Sequence, residues 1–234
     1  MSKNSFMEKI GEKAKFASLN LSRLNISKKN SVLKQFSQYL RANKQSILNA
    51  NKKDVSNAKS KKIEGSMINR LKLSSEKIAQ IRSSIGKIVK FKDPTDKILS
   101  SWKRPNGLII KKVSIPIGVI GIIYESRPNV TSDVSTLCFK SGNVVILRGG
   151  SEAFHSNKIL AKLFRKALKK KKCDENCVQF VQSKERRHVD YLLSDMKNYV
   201  DLIIPRGGKS LVKKVLNKSS ISIIGHYEGL CLFM

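Results

Sequence analysis

The sequence predicts an α/β fold, with N-terminal helices followed by a parallel sheet that carries helices on both faces. Three observations carry that prediction. From Val113 onward, short continuous apolar runs alternate with amphipathic segments, as expected of strands buried on both faces and joined by helical crossovers. Ahead of Asp93-Pro94, apolar residues recur at helical spacing. Two of the later apolar runs end in a basic residue, two glycines and a helix start: Leu147-Arg148-Gly149-Gly150-Ser151-Glu152 and Ile204-Pro205-Arg206-Gly207-Gly208-Lys209.

The helical region comes first. Val32, Leu33, Phe36, Tyr39, Leu40, Ile47 and Leu48 follow one helical stripe and predict one long helix. Ile78, Ile81, Ile85, Ile88 and Val89 predict another, capped by Ser74 or Ser75. Residues 51–73 between them are polar and lysine-rich, and read as a connector with a short helix. Asp93-Pro94 ends the region, because a residue before proline disfavours the α conformation. In residues 98–114, Trp102, the turn signal Arg104-Pro105-Asn106-Gly107 and the run Leu108-Ile109-Ile110 suggest a hairpin extending from the main sheet.

The sheet follows. Strands are expected at Val119–Tyr124, Val144–Leu147, Val178–Val181, Val200–Ile204 and Ile221–Ile224, and helices at Ser132–Lys140, Glu152–Lys170, Glu185–Ser194 and Lys209–Asn217. Ligands of such sheets bind beyond the carboxyl ends of the strands.

The chain has 234 residues, 40% of them hydrophobic, enough for one large core or two small ones. No run approaches the roughly 18 apolar residues of a membrane span, so no membrane partner is expected. The opening MSKNSFMEKIGEKAKF lacks the apolar core of a secretory signal. Cys138, Cys173, Cys177 and Cys231 form no dense framework, which suggests reduced thiols and a cytoplasmic location. The net charge of +30 raises nucleic acid as a partner. Yet the lysines are spread along the chain, and the densest run, Lys169–Lys172, falls where a helix should end and cations are favourable. No specific nucleic-acid motif is present.

Glycines at a strand-to-helix turn leave backbone N–H groups open at the positive end of a helix dipole, where a phosphate can sit. In the first such turn, Ser151 could cap the following helix and Arg148 could pair with a phosphate or ribose. The plainer explanation is an ordinary turn whose glycines serve geometry alone. The recurrence at Gly207-Gly208-Lys209 favours a shared dinucleotide, although the G-x-G-x-x-G fingerprint is absent. In Tyr124-Glu125-Ser126-Arg127-Pro128-Asn129, Asn129 could donate to an oxyanion and Arg127 could hold an acidic substrate group. That segment also reads simply as a helix entry. His155 and His226 read as structural residues, and Cys138 as core. The spacing of Cys173 and Cys177 lacks a second ligand pair, so no metal is expected.

The strings Ile47-Leu48-Asn49-Ala50-Asn51, Arg104-Pro105-Asn106-Gly107-Leu108, PIGVIGIIYESRPNV, CFKSGNVVILRGGSEAFHSN and DLIIPRGGKSLV resemble the glutamate-5-semialdehyde dehydrogenases, or γ-glutamyl phosphate reductases, of the aldehyde dehydrogenase superfamily. The resemblance covers essentially the whole chain, in order. It implies an aldehyde-dehydrogenase-like fold with a Rossmann-like cofactor sheet. It also implies NADPH-dependent reduction of L-glutamyl 5-phosphate to glutamate 5-semialdehyde in proline biosynthesis, through a cysteine thioester. Arg148, Gly149, Gly150 and Ser151 then match the segment at the adenosine end of NADP, and Gly207, Gly208 and Lys209 the turn at its pyrophosphate. Asn129 is the oxyanion candidate and Arg127 the substrate candidate.

Cys231 does not match the family's nucleophile, which lies in a later catalytic domain. The implied organisation is a helical region over 1–97, a hairpin extension over 98–114, an NADP-binding α/β domain over 115–230 and the start of a catalytic domain at 231–234. A chain so built is expected to bind NADPH weakly at best and to show no turnover alone. A homo-oligomer is compatible with it. The alternatives are a non-catalytic basic protein that binds polyanions, and a decayed remnant.

Overall fold

In the computed structural model, which describes residues 5–225, the helical region comprises α1 (Ser5–Ser22), α2 (Ile26–Ala42), α3 (Lys44–Ser60), α4 (Gly65–Leu71) and α5 (Ser75–Lys90). The stripe predicted as one long helix is two. They meet at Asn43, whose backbone N–H and side-chain amide both donate to the Tyr39 carbonyl. An Asn that serves the preceding turn in this way interrupts a helix readily. Residues 51–60, expected as connector, continue α3. Lys52 and Lys53 face solvent, while Asn51, Asp54 and Ala58 turn inward. The inward residues are mostly polar, which hid the stripe. Of the two candidate caps for α5, Ser74 is the one used, and its hydroxyl accepts from the Lys77 N–H.

Strands β1 (Ile98–Lys103) and β2 (Ile109–Val113) form the expected hairpin, an antiparallel sheet of its own. Its turn closes through the Gly107 N–H to the Arg104 carbonyl, with Gly107 at φ 88°, a conformation that favours glycine.

The main sheet holds β3 (Val119–Tyr124), β4 (Val144–Gly149), β5 (Val178–Phe180) and β6 (Leu202–Arg206), all parallel, in the order β5-β4-β3-β6. The helices between and after them are α6 (Pro128–Lys140), α7 (Phe154–Lys170), α8 (Arg187–Ser194) and α9 (Lys209–Lys218). The chain steps from β3 to β4 to β5 in one direction, then crosses back to lay β6 on the far side of β3. Right-handed crossovers therefore place α6 and α7 on one face and α8 on the other. The packing of α6 on β4, α7 on β5, and α1 on β3, β4 and α8 agrees.

Several boundaries differ from expectation. Helix α6 starts at Pro128 rather than Ser132, since proline suits the first helical position. Strand β6 starts at Leu202 rather than Val200, because the Val200 N–H closes a turn onto Met196. The fifth expected strand, Ile221–Ile224, contributes among the described residues a parallel bridge between Ile203 and Ile223.

One apolar core runs through helices and sheet together. Phe164 of α7 lies 4.6 Å from Phe36 of α2 and 5.7 Å from Phe139 of α6, centroid to centroid. At roughly 25 cal/mol per Å² of buried apolar surface, such aromatic contacts bind the helical region to α7, the helix that leaves the first glycine turn.

Candidate functional site at the carboxyl rim of the sheet

Register places both glycine turns at one rim. Tyr124, the last residue of β3, pairs with Gly149 on one side and Arg206 on the other. Gly149-Gly150 and Gly207-Gly208 therefore flank the end of β3, where the strand order reverses and α/β sheets bind ligands.

Neighbouring loops at this rim are tied in the spatial order of their strands. The Gly208 N–H, at the start of α9, donates to Glu125 Oε2 at 2.9 Å, linking the loops after β6 and β3. The Ser126 N–H and hydroxyl both donate to Glu152 Oε1, at 2.7 and 2.8 Å, linking the loops after β3 and β4. Arg148 Nη1 donates to the Gly149 carbonyl and Nη2 to the Lys184 carbonyl, linking the loops after β4 and β5. Arg148 is buried, with its Nε partnerless. Burial lowers its pKa, and Glu152 opposes that shift.

Two cavities open along the rim. One of about 450 Å³ is lined by Arg148, Gly150, Ser151, Lys184, Arg186 and Lys214, among others. The next, of about 530 Å³, is lined by Arg70, Ser126, Arg127, Arg206, Gly207 and Gly208, among others. Met67 of α4 and Glu125 line both. The helical region thus supplies a wall of the site, through α4. A third cavity, also of about 530 Å³, lies between α1 and α7 and is lined by neither glycine turn.

The sequence candidates divide. Arg148, Gly150, Ser151, Arg127, Gly207 and Gly208 line these cavities. Gly149 lies beneath, where an added Cβ would clash with Asn157 Nδ2 and come 3.0 Å from the Tyr124 ring. Lys209 is the first residue of α9. Ser151 does not cap α7. It begins a short 3-10 turn, Ser151–Ala153, and Ala153 precedes α7 with no side-chain cap. The capping function comes instead from Asp54 of α3, whose carboxylate accepts the His155 and Ser156 N–H groups at 3.1 and 2.7 Å. Asn129 stands on the first turn of α6, and its Nδ2 donates to Asp133 at 3.0 Å. Burial raises the Asp133 pKa, and that hydrogen bond partly offsets the rise.

Glu125, Glu152, Asp54, Met67 and Arg70 were not singled out from the sequence. Only the acidic residues carried a signal, because 17 of them among 47 basic residues are scarce. His155 uses its backbone N–H on Asp54 and sets its ring edge-on to Phe154, as a structural residue would. Cys138 is core, and burial pushes its thiol up to about 12. Burial also raises Cys173 and Cys177. Among the described residues no group of three or more His, Cys, Asp or Glu could hold a metal ion, and no helix is long and apolar enough to cross a membrane. His226 and Cys231 lie outside the described residues.

Residues 2–225 match the aldehyde dehydrogenase family. The chain is 44% identical over 225 residues to a gamma-glutamyl phosphate reductase of Sulfurimonas denitrificans, covering 96% of this chain and 55% of that protein. It is 47% identical over 223 residues to one from Hydrogenobaculum sp., covering 95% and 50%. The crystal structure of the gamma-glutamyl phosphate reductase from Thermotoga maritima superposes with a TM-score of 0.90 at 35% identity, covering 93% of this chain and 52% of that one. The chain spans about half the length of the relatives it matches.

Proposed function

The chain belongs to the aldehyde dehydrogenase family, and we propose that it forms the cofactor-binding portion of an NADPH-dependent reductase of L-glutamyl 5-phosphate, yielding glutamate 5-semialdehyde. Relatives named gamma-glutamyl phosphate reductase support the substrate. The observation that carries the reading is the pair of adjoining cavities at one rim, each bordered by a glycine turn.

The donor set fits a pyridine nucleotide. The N-terminus of α9 follows Gly207 and Gly208, which line the rim, and would hold a pyrophosphate there. Arg148, Lys184, Arg186 and Lys214 surround the other cavity and would pair with a 2′-phosphate, favouring NADPH over NADH. The bound cofactor supplies a hydride. Arg127, beside Arg70 and Arg206, would hold an acidic group of the substrate. Asn129 would serve an oxyanion once its amide turns from Asp133. Attack by a thiolate calls for a lowered pKa, so Cys138, Cys173 and Cys177, all raised, are assigned no part in it. The reading places the chain in the cytoplasm. It also places contact with a second copy on the hairpin, where Ile98, Leu99, Trp102, Leu108, Ile109 and Val113 are exposed.

The test is a fluorescence titration with NADPH and NADH. NADPH is expected to bind about tenfold tighter, from one charge-assisted phosphate contact. Lys184→Ala with Arg186→Ala should erase that preference. Equal affinities, or no binding of either nucleotide, contradict the reading. The cavity between α1 and α7, lined by Lys9, Lys13, Lys158, Lys162 and Arg165 and by no acidic residue, favours a second reading as a polyanion-binding surface. A DNA affinity that falls steeply with salt would support it.

A further inference from the structure

We infer that Glu125 is a built-in competitor for the cofactor's phosphate seat, so that nucleotide affinity is set by exchange between the Glu125 carboxylate and the incoming pyrophosphate. The inference rests on the cofactor reading above. The Glu125 carboxylate accepts the Gly208 N–H at 2.9 Å. That N–H belongs to the N-cap residue immediately before α9, a helix of ten residues. An anion at that point is stabilised by the helix dipole and by the Gly208 N–H, as a phosphate would be.

The carboxylate also lies directly against the glycine turn. A Cβ added to Gly207 would come 2.6 Å from Glu125 Oε2, and one added to Gly208 would come 3.9 Å from it. At Gly207 the space is taken by this side chain together with Leu211, whereas Gly208 meets the carboxylate alone. Glu125 lines both rim cavities, at the place where they adjoin. A dinucleotide reaching from one to the other must pass it.

The backbone of Glu125 is fixed independently of its carboxylate. Its N–H donates to the Arg206 carbonyl at 3.2 Å, extending the ladder between β3 and β6 by one bond. The side chain can therefore leave the seat without unravelling the strand. Two like charges cannot share one helix N-terminus without strong repulsion. Either the carboxylate swings away or the phosphate binds weakly.

Glu125→Gln separates charge from shape. Its amide oxygen still accepts the Gly208 N–H, and the negative charge is gone. The chain and this variant are titrated calorimetrically with NADPH, ADP and adenosine, after circular dichroism has shown equal helix content. NADPH and ADP should each bind the variant about tenfold tighter, the range of a partly buried helix-terminus charge effect. Adenosine, which lacks phosphate, should be unmoved. The gain should shrink at about 1 M salt, where the screening length is roughly 3 Å. A merely structural Glu125 would alter all three ligands together, or none. Unchanged or weaker binding of NADPH and ADP overturns the inference while leaving the cofactor reading intact. Failure of both forms to bind NADPH overturns both. Should Glu125→Gln fold poorly, Glu125→Ala takes its place with the same expected order of ligands.

Discussion

Replacing Asp54 by alanine should destabilise the chain and loosen the cofactor rim, although Asp54 lies in the helical region and touches neither cavity. Asp54 is 1% exposed, and its carboxylate accepts two backbone N–H groups at the start of α7, from a helix distant in sequence. Removing it leaves the Ser156 N–H buried and the His155 N–H half-buried, both without that partner. Each such loss costs about 1–3 kcal/mol. Loss of the anion from the helix N-terminus adds up to about 1 kcal/mol. Allowing for partial relaxation, the total is about 3 kcal/mol. For a chain of this size that is a fall in Tm of about 6–12 °C. Asp54→Asn keeps one acceptor oxygen and should lose about half as much. Thermal unfolding followed by circular dichroism at neutral pH measures both variants. A fall of less than about 2 °C for Asp54→Ala, or an asparagine variant as damaged as the alanine one, would refute this account of how α7 is held.

Three further outcomes are expected. Gly149→Ala places a methyl against Asn157 and the buried Tyr124 ring, and should cost about 1–3 kcal/mol by overpacking, measured by urea denaturation; a neutral result would mean the strand end yields freely. Burial pushes the Asp93 carboxyl up, but hydrogen bonds from Thr95 and from the buried Lys29 outweigh it and leave the pKa below its ordinary 3.8. A depressed folded pKa gives stability above the unfolded value that is lost as pH falls through the folded one. Stability should therefore decline below about pH 4, and Asp93→Asn should flatten that limb; an unchanged acid limb counts against the pairing. A thiol reagent at about pH 8 should leave Cys138 and Cys177 of the folded chain unmodified by peptide mapping, because burial keeps both protonated; rapid labelling of either contradicts their placement.

The sheet was legible because its strands are continuous apolar runs. β3 and β4, buried along their whole length, fall within a residue or two of expectation. An apolar run shows burial and not pairing, so the last expected strand reduces, among the described residues, to the bridge at Ile223. The glycine turns were legible as turns, and their common rim followed from the parallel order. What the sequence hid were contacts made across long separations by polar residues. Asn51 and Asp54 lack a hydrophobic stripe, so α3 was cut short, yet they brace Ser156 and the start of α7. Glu125 and Glu152 sit within the singled-out strings, but nothing in local spacing shows that their carboxylates bind the neighbouring loops. Arg70 enters the rim from α4, outside every glycine motif.

The most direct measurement is amide mapping by NMR as NADPH is added to the isotopically labelled chain. Shifts concentrated at Gly149, Gly150, Ser151, Gly207, Gly208 and Lys209, with Gly118 and Gly142 at the opposite ends of β3 and β4 unmoved, are the expected result. Shifts at Gly118 and Gly142 instead, or none at either rim at saturating nucleotide, would contradict the claim that this rim holds the cofactor.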